Sequence, residues 1–332
     1  MSRQRLCGVG LLLLGAVAVL VLRLLVDRDP LSGDISLAWP EPAWRGLRLH
    51  AALAGAALGG ALALSGTLLQ ASLRNVLAAP SLLGVASGAG LGVMAVLYVA
   101  HVSGMHASSG MWTLGAFIGA MGALLLVLQL GRRDGWPDAV TTILAGVIVA
   151  TMASAGMVLL QGLVPEGLRG RFLAWAMGTV PELPEPGLLW STVALLGVAG
   201  IVAFLGAARL DALLLSEDTA ITIGAQPERV RTLCLLAAGL LTACAVALAG
   251  PLAFVGLVAP HMARRLLGSG HRLLVPGSVL AGIVLVVGAD ALRQVLDLGA
   301  GRLPVGVLTT LIGGPAFLVL LRRAMRGSHA AL

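Results

Sequence analysis

The sequence contains no lysine; all 22 of its basic residues are arginine. That excludes a phosphate-binding loop of the GxxxxGK[ST] type, a Schiff-base lysine and a kinase lysine. If ATP is used, another chain must hold it. Charge is also scarce, at 11% of 332 residues, while 58% are hydrophobic and the mean hydropathy is +0.98. A soluble chain is roughly 45–50% apolar and about 25% charged, so water is the wrong solvent for most of this one. Aromatic residues make up only 4%. With the arginines lying between apolar runs rather than along one face, the net charge of +7 does not describe a nucleic-acid surface. Cysteine is limited to Cys7, Cys234 and Cys244. The last two sit about 15 Å apart along one helical run, too far for a disulfide.

What is present is span material. A crossing takes about 20 apolar residues, and the apolar fraction of this chain is enough for roughly nine or ten. Apolar runs fall at about 6–26, 47–70, 82–100, 111–131, 139–162, 187–208, 229–249, 252–267, 273–297 and 304–322. The eighth is short and holds Pro260. No small-residue cleavage site follows the first, which reads as a retained helix. The expected fold is all-α, polytopic, with about ten transmembrane helices, in a single domain over 1–332. With the N-terminus inside, fourteen arginines lie on inner segments and eight on outer ones, which favours both termini in the cytoplasm. Gly55 and Gly59, Gly115 and Gly119, and the triple Gly84, Gly88 and Gly92 have the spacing of close helix contacts.

Chemistry is thin. Only Asp290 of the fifteen acidic residues lies well inside a span, and Arg293 three positions on shares its helical face. That reads as a structural ion pair rather than a proton relay, and it weighs against an ion-coupled secondary transporter, which needs several such groups. His101 and His106 lack a carboxylate partner for a metal. The absence of HExxH, CxxC and GxSG weighs against a membrane enzyme. The segment 209–226 differs. Ser216 is placed to cap a helix starting at Glu217, Glu217 and Asp218 fill its first turn, and Gly224 stops it. Anionic headgroups would repel so acidic a helix, so a docking protein suits it better than a lipid surface.

Four stretches resemble the FecCD type of permease, which imports iron-siderophores, haem and vitamin B12. They are Ser65-Gly-Thr-Leu-Leu-Gln70 running through Asn75 and Pro80 to Gly84 and Gly88; the 216–224 loop with Glu217, Ala220 and Gly224; Gly250-Pro-Leu-Ala-Phe254-Val-Gly256-Leu-Val-Ala-Pro260-His261-Met-Ala-Arg264; and Leu303-Pro304-Val-Gly306 continuing to Phe317. Trp175-Ala-Met-Gly178 is a weaker match. The resemblance runs from about residue 45 to 323.

It implies an ATP-binding-cassette (ABC) importer permease in the inner membrane of a bacterium. The permease would pair with a second copy of itself, two cytoplasmic ATPase subunits carrying ATP and Mg, and a periplasmic binding protein. It would have lipid around it, no cofactor, metal or catalytic site of its own, and no nucleic acid. Ser216, Glu217, Asp218, Ala220 and Gly224 would then couple to the ATPases. Gly256, Pro260, His261 and Arg264 would shape a bend beside them, and Asn75 and Pro80 a cytoplasmic turn. Siderophore iron is the expected cargo, with haem and vitamin B12 as alternatives.

The chain departs from the pattern on the outer side. The family's Arg-x-Pro-Arg becomes Arg48-Leu-His50-Ala51. Its Asp-x-x-x-Arg becomes Asp290 with Gln294, Arg293 being displaced by one position. Arg302 replaces the Glu before Leu-Pro. The expected docking set for the binding protein is therefore Arg45, Arg48, Arg293 and Arg302.

Overall fold

The computed structural model describes residues 3–28, 35–133, 135–215, 217–222, 224–296 and 303–329, with backbone only for 3, 27, 28, 217, 218 and 320–329. Ser216 and Arg302 therefore lie outside the described residues. The helices are α1 (Arg3–Leu25), α2 (Pro42–Ser72), α3 (Val85–Val102), α4 (Ser109–Leu130), α5 (Ala139–Leu163), α6 (Glu166–Ala176), α7 (Pro186–Leu205), α8 (Ala207–Ala212), α9 (Glu217–Thr222), α10 (Pro227–Ala249), α11 (Val255–Leu267), α12 (His271–Val295) and α13 (Val305–His329). Two short antiparallel hairpins join neighbours: β1 (Val26–Arg28) with β2 (Ile35–Leu37), and β3 (Arg132–Arg133) with β4 (Trp136–Pro137).

Among the described residues eight helices are long and apolar enough to cross a membrane: α1 to α5, α7, α10 and α12. The expected eighth and tenth spans are α11, of 13 residues, and α13, whose apolar part is Val305–Val319. One helix was not expected. Pro165 and Glu166 open α6, which carries Arg169 and Arg171 and therefore reads as a loop by hydropathy.

The helices start and stop for local reasons. Pro42, Pro186 and Pro227 occupy first-turn positions, where a missing N–H costs nothing. Asp138 caps α5 by accepting from the Thr141 N–H at 2.9 Å and from its hydroxyl at 2.8 Å. These bonds hold the Asp138 carboxyl below its ordinary pKa.

Packing follows the small residues. A Cβ placed on Gly59 would lie 2.2 Å from the Gly282 carbonyl oxygen, so the backbones of α2 and α12 touch there. Gly92 faces Gly115 and Gly88 faces Gly119 where α3 meets α4. Gly84, expected in the same stripe, instead lies just before α3 with φ +67°, a conformation that favours glycine. The core runs along α2, α3, α4 and α10, with a second cluster between α1, α11 and α12.

Candidate functional site

The motif residues converge on two places. At the first, Ser65 donates to the Ala238 carbonyl at 2.8 Å and lies 2.8 Å from the Thr242 hydroxyl, tying α2 to α10. Its neighbour Gly66 meets α11: a Cβ there would lie 1.7 Å from the Gly256 oxygen. Pro260 has no N–H to offer that oxygen, which frees the carbonyl to lie against Gly66. A Cβ on Gly256 would in turn strike the Pro80 ring at 2.6 Å. The chain reaches Pro80 through a turn in which Asn75 Oδ1 accepts from the Leu77 N–H at 2.9 Å and Ala78 N–H donates to the Asn75 carbonyl at 3.0 Å. Helix α11 runs on through Pro260. His261 Nδ1 lies 2.8 Å from the Leu257 oxygen, and its ring meets Phe317 edge-on at 6.4 Å. Arg264 is half-buried, and its Nη1 is buried without a partner.

At the second place, the Gly306 N–H donates to the Gly178 carbonyl at 3.1 Å, and Thr179 N–H to Ala249 at 2.8 Å. A Cβ on Gly306 would lie 2.2 Å from the Met177 oxygen, and one on Gly250 2.3 Å from the Trp175 oxygen. Gly178 and Gly250 have positive φ, +71° and +73°. The weak Trp175–Gly178 match and the strong 250–264 and 303–306 matches are thus parts of one junction, at which Pro304 and Gly306 start α13. Between the two places lies a cavity of about 350 Å3, mostly apolar, reached by Pro80, Ser81, Met177, Thr242, Gly306 and Thr310.

The 209–226 segment folds as two short helices. α9 begins at Glu217, and after it Gly224 adopts φ +73°, its N–H reaching Ile221 O at 2.9 Å while Ala225 N–H reaches Ala220 O at 3.0 Å. This is the paired hydrogen bonding of a glycine stop. Glu217 and Asp218 occupy the first turn of α9. Ala220 is fully buried against Ala212 and Ala225, so it shapes the segment from within. Arg74 Nε donates to the Leu213 carbonyl at 2.6 Å, which sets the segment beside the turn that follows α2.

Arg45 is at the other end of α2, about 40 Å away at 1.5 Å per residue, and it is exposed. Arg48 is half-buried and donates from Nη1 to the Leu24 and Val26 carbonyls at 3.1 and 3.3 Å, closing the end of α1. Arg293 departs from the expectation. Its side chain is buried, Nε donating to Asp290 Oδ1 at 2.6 Å and Nη2 to the Val180 carbonyl at 3.2 Å, so it presents no outer docking surface. Arg23 is buried too and donates to the other oxygen of Asp290. The expected pair is a cluster of three that pins α1 to α12. A carboxylate in hydrocarbon needs its charge and its acceptor sites satisfied, and two guanidinium groups do both.

Cys234 and Cys244 are buried and unbridged, and Cys7 is exposed. Among the described residues no three His, Cys, Asp or Glu side chains gather as metal ligands.

Residues 13–323 match the FecCD transport family, and the chain belongs to it. It is 33% identical over 280 residues to the hemin transport system permease protein HmuU of Yersinia pestis, covering 84% of this chain and 83% of that one. To the vitamin B12 import system permease protein BtuC of Vibrio cholerae it is 37% identical over 312 residues, 92% and 91% of the two chains. Its fold matches a transporter assigned to the metal-chelate ABC type and solved in an inward-facing conformation, with a TM-score of 0.80, 28% identity and coverage of 94% and 97%. The protein is thus a multi-pass membrane permease.

Proposed function

We propose that the chain is the permease subunit of an ABC importer that carries a metal chelate, a ferric siderophore first, into the cytoplasm. Partner ATPases hold the ATP and Mg and grip the 209–226 segment. The observation that carries this reading is the segment itself, a separately folded unit ending in a glycine stop and tied to the end of α2 by Arg74. A second copy of the chain would complete the passage, and a binding protein would dock near Arg45, about 40 Å away along α2.

The membrane orientation follows from the same contacts. A Cβ on Gly8 would lie 2.6 Å from the Leu266 oxygen, and Arg5 approaches Gly268, so the start of α1 lies beside the end of α11. His271, three residues further on, touches Asp211 of the segment. This supports an N-terminus on the ATPase side, in the cytoplasm. Parity of the ten helices brings the C-terminus to the same side.

Transport would work by shifting populations. Nucleotide binding moves the segment, and it drives opening only through contacts that differ between the outward- and inward-open states. The largely apolar cavity beside Pro80 and Gly306 suits a bulky chelate better than a bare ion. Haem and vitamin B12 remain second readings, favoured by the likeness to HmuU and BtuC.

The test is uptake of radioiron-loaded siderophore, haem and cobalamin into vesicles holding the permease with its ATPase and binding protein. ATP-dependent uptake of the siderophore is expected. Uptake by the permease alone, driven by an ion gradient, would overturn the reading. Arg45→Glu should weaken capture of the binding protein while leaving basal ATP hydrolysis intact.

A further inference from the structure

We propose that Asp211 and His271 form a strut that carries motion of the 209–226 segment into α12, which makes them positioning residues for coupled transport. The proposal rests on the reading of that segment as the ATPase grip.

The strut answers a local deficiency. α12 starts at His271 behind Gly270, with no side-chain cap and no acid in its first turn. A bare helix start leaves N–H groups without acceptors. Here the acceptor comes from α8, sixty residues earlier. Asp211 Oδ1 takes the His271 backbone N–H at 3.0 Å and meets the ring Nδ1 at 2.6 Å. A carboxylate only accepts, so Nδ1 carries the proton. The His271 side chain is 1% exposed and that of Asp211 46%. His271 Nε2 is buried with no partner, so Asp211 is the ring's one tie among the described residues.

Two features make this pair suited to carrying movement. First, the C-terminal end of α8 is held by two neighbours: Arg74 ties Leu213 to the turn after α2, while Asp211 ties the helix to α12. Second, α12 lies backbone to backbone against α2 at Gly59 and Gly282 and is pinned to α1 through Asp290. Apolar surfaces can slide and can only push. A short charge-assisted bond is directional and can also pull.

The experiment uses the full importer in vesicles, with whichever of haem, cobalamin or a radioiron hydroxamate the unaltered complex carries. Uptake and ATP hydrolysis are measured together. Asp211→Ala and His271→Ala should lower uptake per ATP about tenfold. His271→Asn, whose amide N–H falls where Nδ1 sits, should recover most of the loss, whereas His271→Gln, whose amide reaches toward Nε2, should not. A structural role alone would not separate those two amides. Uptake per ATP unchanged in both alanine variants, or His271→Asn as impaired as His271→Ala, would overturn the strut.

If the alanine variants do not assemble, a cysteine pair at 211 and 271 in a Cys7→Ser background, joined by a short thiol cross-linker, decides the matter. A strut that moves as one piece keeps transport when cross-linked, and loss of transport on cross-linking refutes it. Glu217→Arg serves as the control on the underlying reading. Normal transport in that variant removes the ATPase grip itself, whereas a block there with unaffected Asp211 and His271 variants removes only the strut.

Discussion

Helices α2 and α7 are both apolar enough to cross a membrane, yet the less hydrophobic one is inside. The most apolar stretch of α2 has a mean hydropathy of 1.7 and is 89% buried within the chain; that of α7 has 2.3 and is 17% buried. A soluble protein would show the opposite order. Lipid is as apolar as leucine, so large side chains gain little by turning inward, and the interior goes to residues that let backbones meet. α2 spends its length on Gly55, Gly59, Gly60 and Gly66, while α7 shows Val198, Ile201, Val202 and Leu205 to its surroundings.

Substitutions can break or sharpen this contrast. The largest effect is expected at Asp290. Asp290→Ala strands two buried guanidinium groups and should cost about 3–5 kcal/mol, the range for one lost partner of a buried ion pair, read as a fall in melting temperature in detergent. Gly66→Val forces a side chain onto the Gly256 carbonyl, and about 3 kcal/mol or more is expected by the same measurement. Gly224→Val puts a β-branched residue at positive φ. It should destabilise the segment locally by about 1–2 kcal/mol, seen as faster hydrogen exchange over 217–226 with the melting temperature nearly unchanged. Val198→Ala, on the exposed face of α7, should stay within about 0.5 kcal/mol. If Gly66→Val were as mild as Val198→Ala, the distinction between the two helices would fail.

The same contrast explains what could be read from the sequence. Span positions were legible because hydropathy and length alone define them, and the glycine spacing marked α3 and α4 as helices that make close contacts, though not that they make them with each other. The helix from Glu217 and its stop at Gly224 were legible because caps are local. α6 was not, since Arg169 and Arg171 lower its hydropathy to that of a loop; its signal was Pro165-Glu166, a helix start. Arg23 was missed as a partner of Asp290 because the two are 267 positions apart and nothing local joins them. The Arg293 pairing with Asp290 was legible from their spacing of three, whereas its docking role, taken from the family resemblance, is not matched by a side chain that turns in to Asp290 and Val180. The Asp211 contact to His271 was likewise out of reach, since it depends on where α8 comes to rest.

The glycine crossings of α2 with α11 and α12 have a mechanical consequence. Where main chain touches main chain, no rotamer is available to give way, so these three rods can turn only together, as a single keel. A shift imposed at either crossing is therefore handed on to the neighbouring rod instead of being absorbed within it.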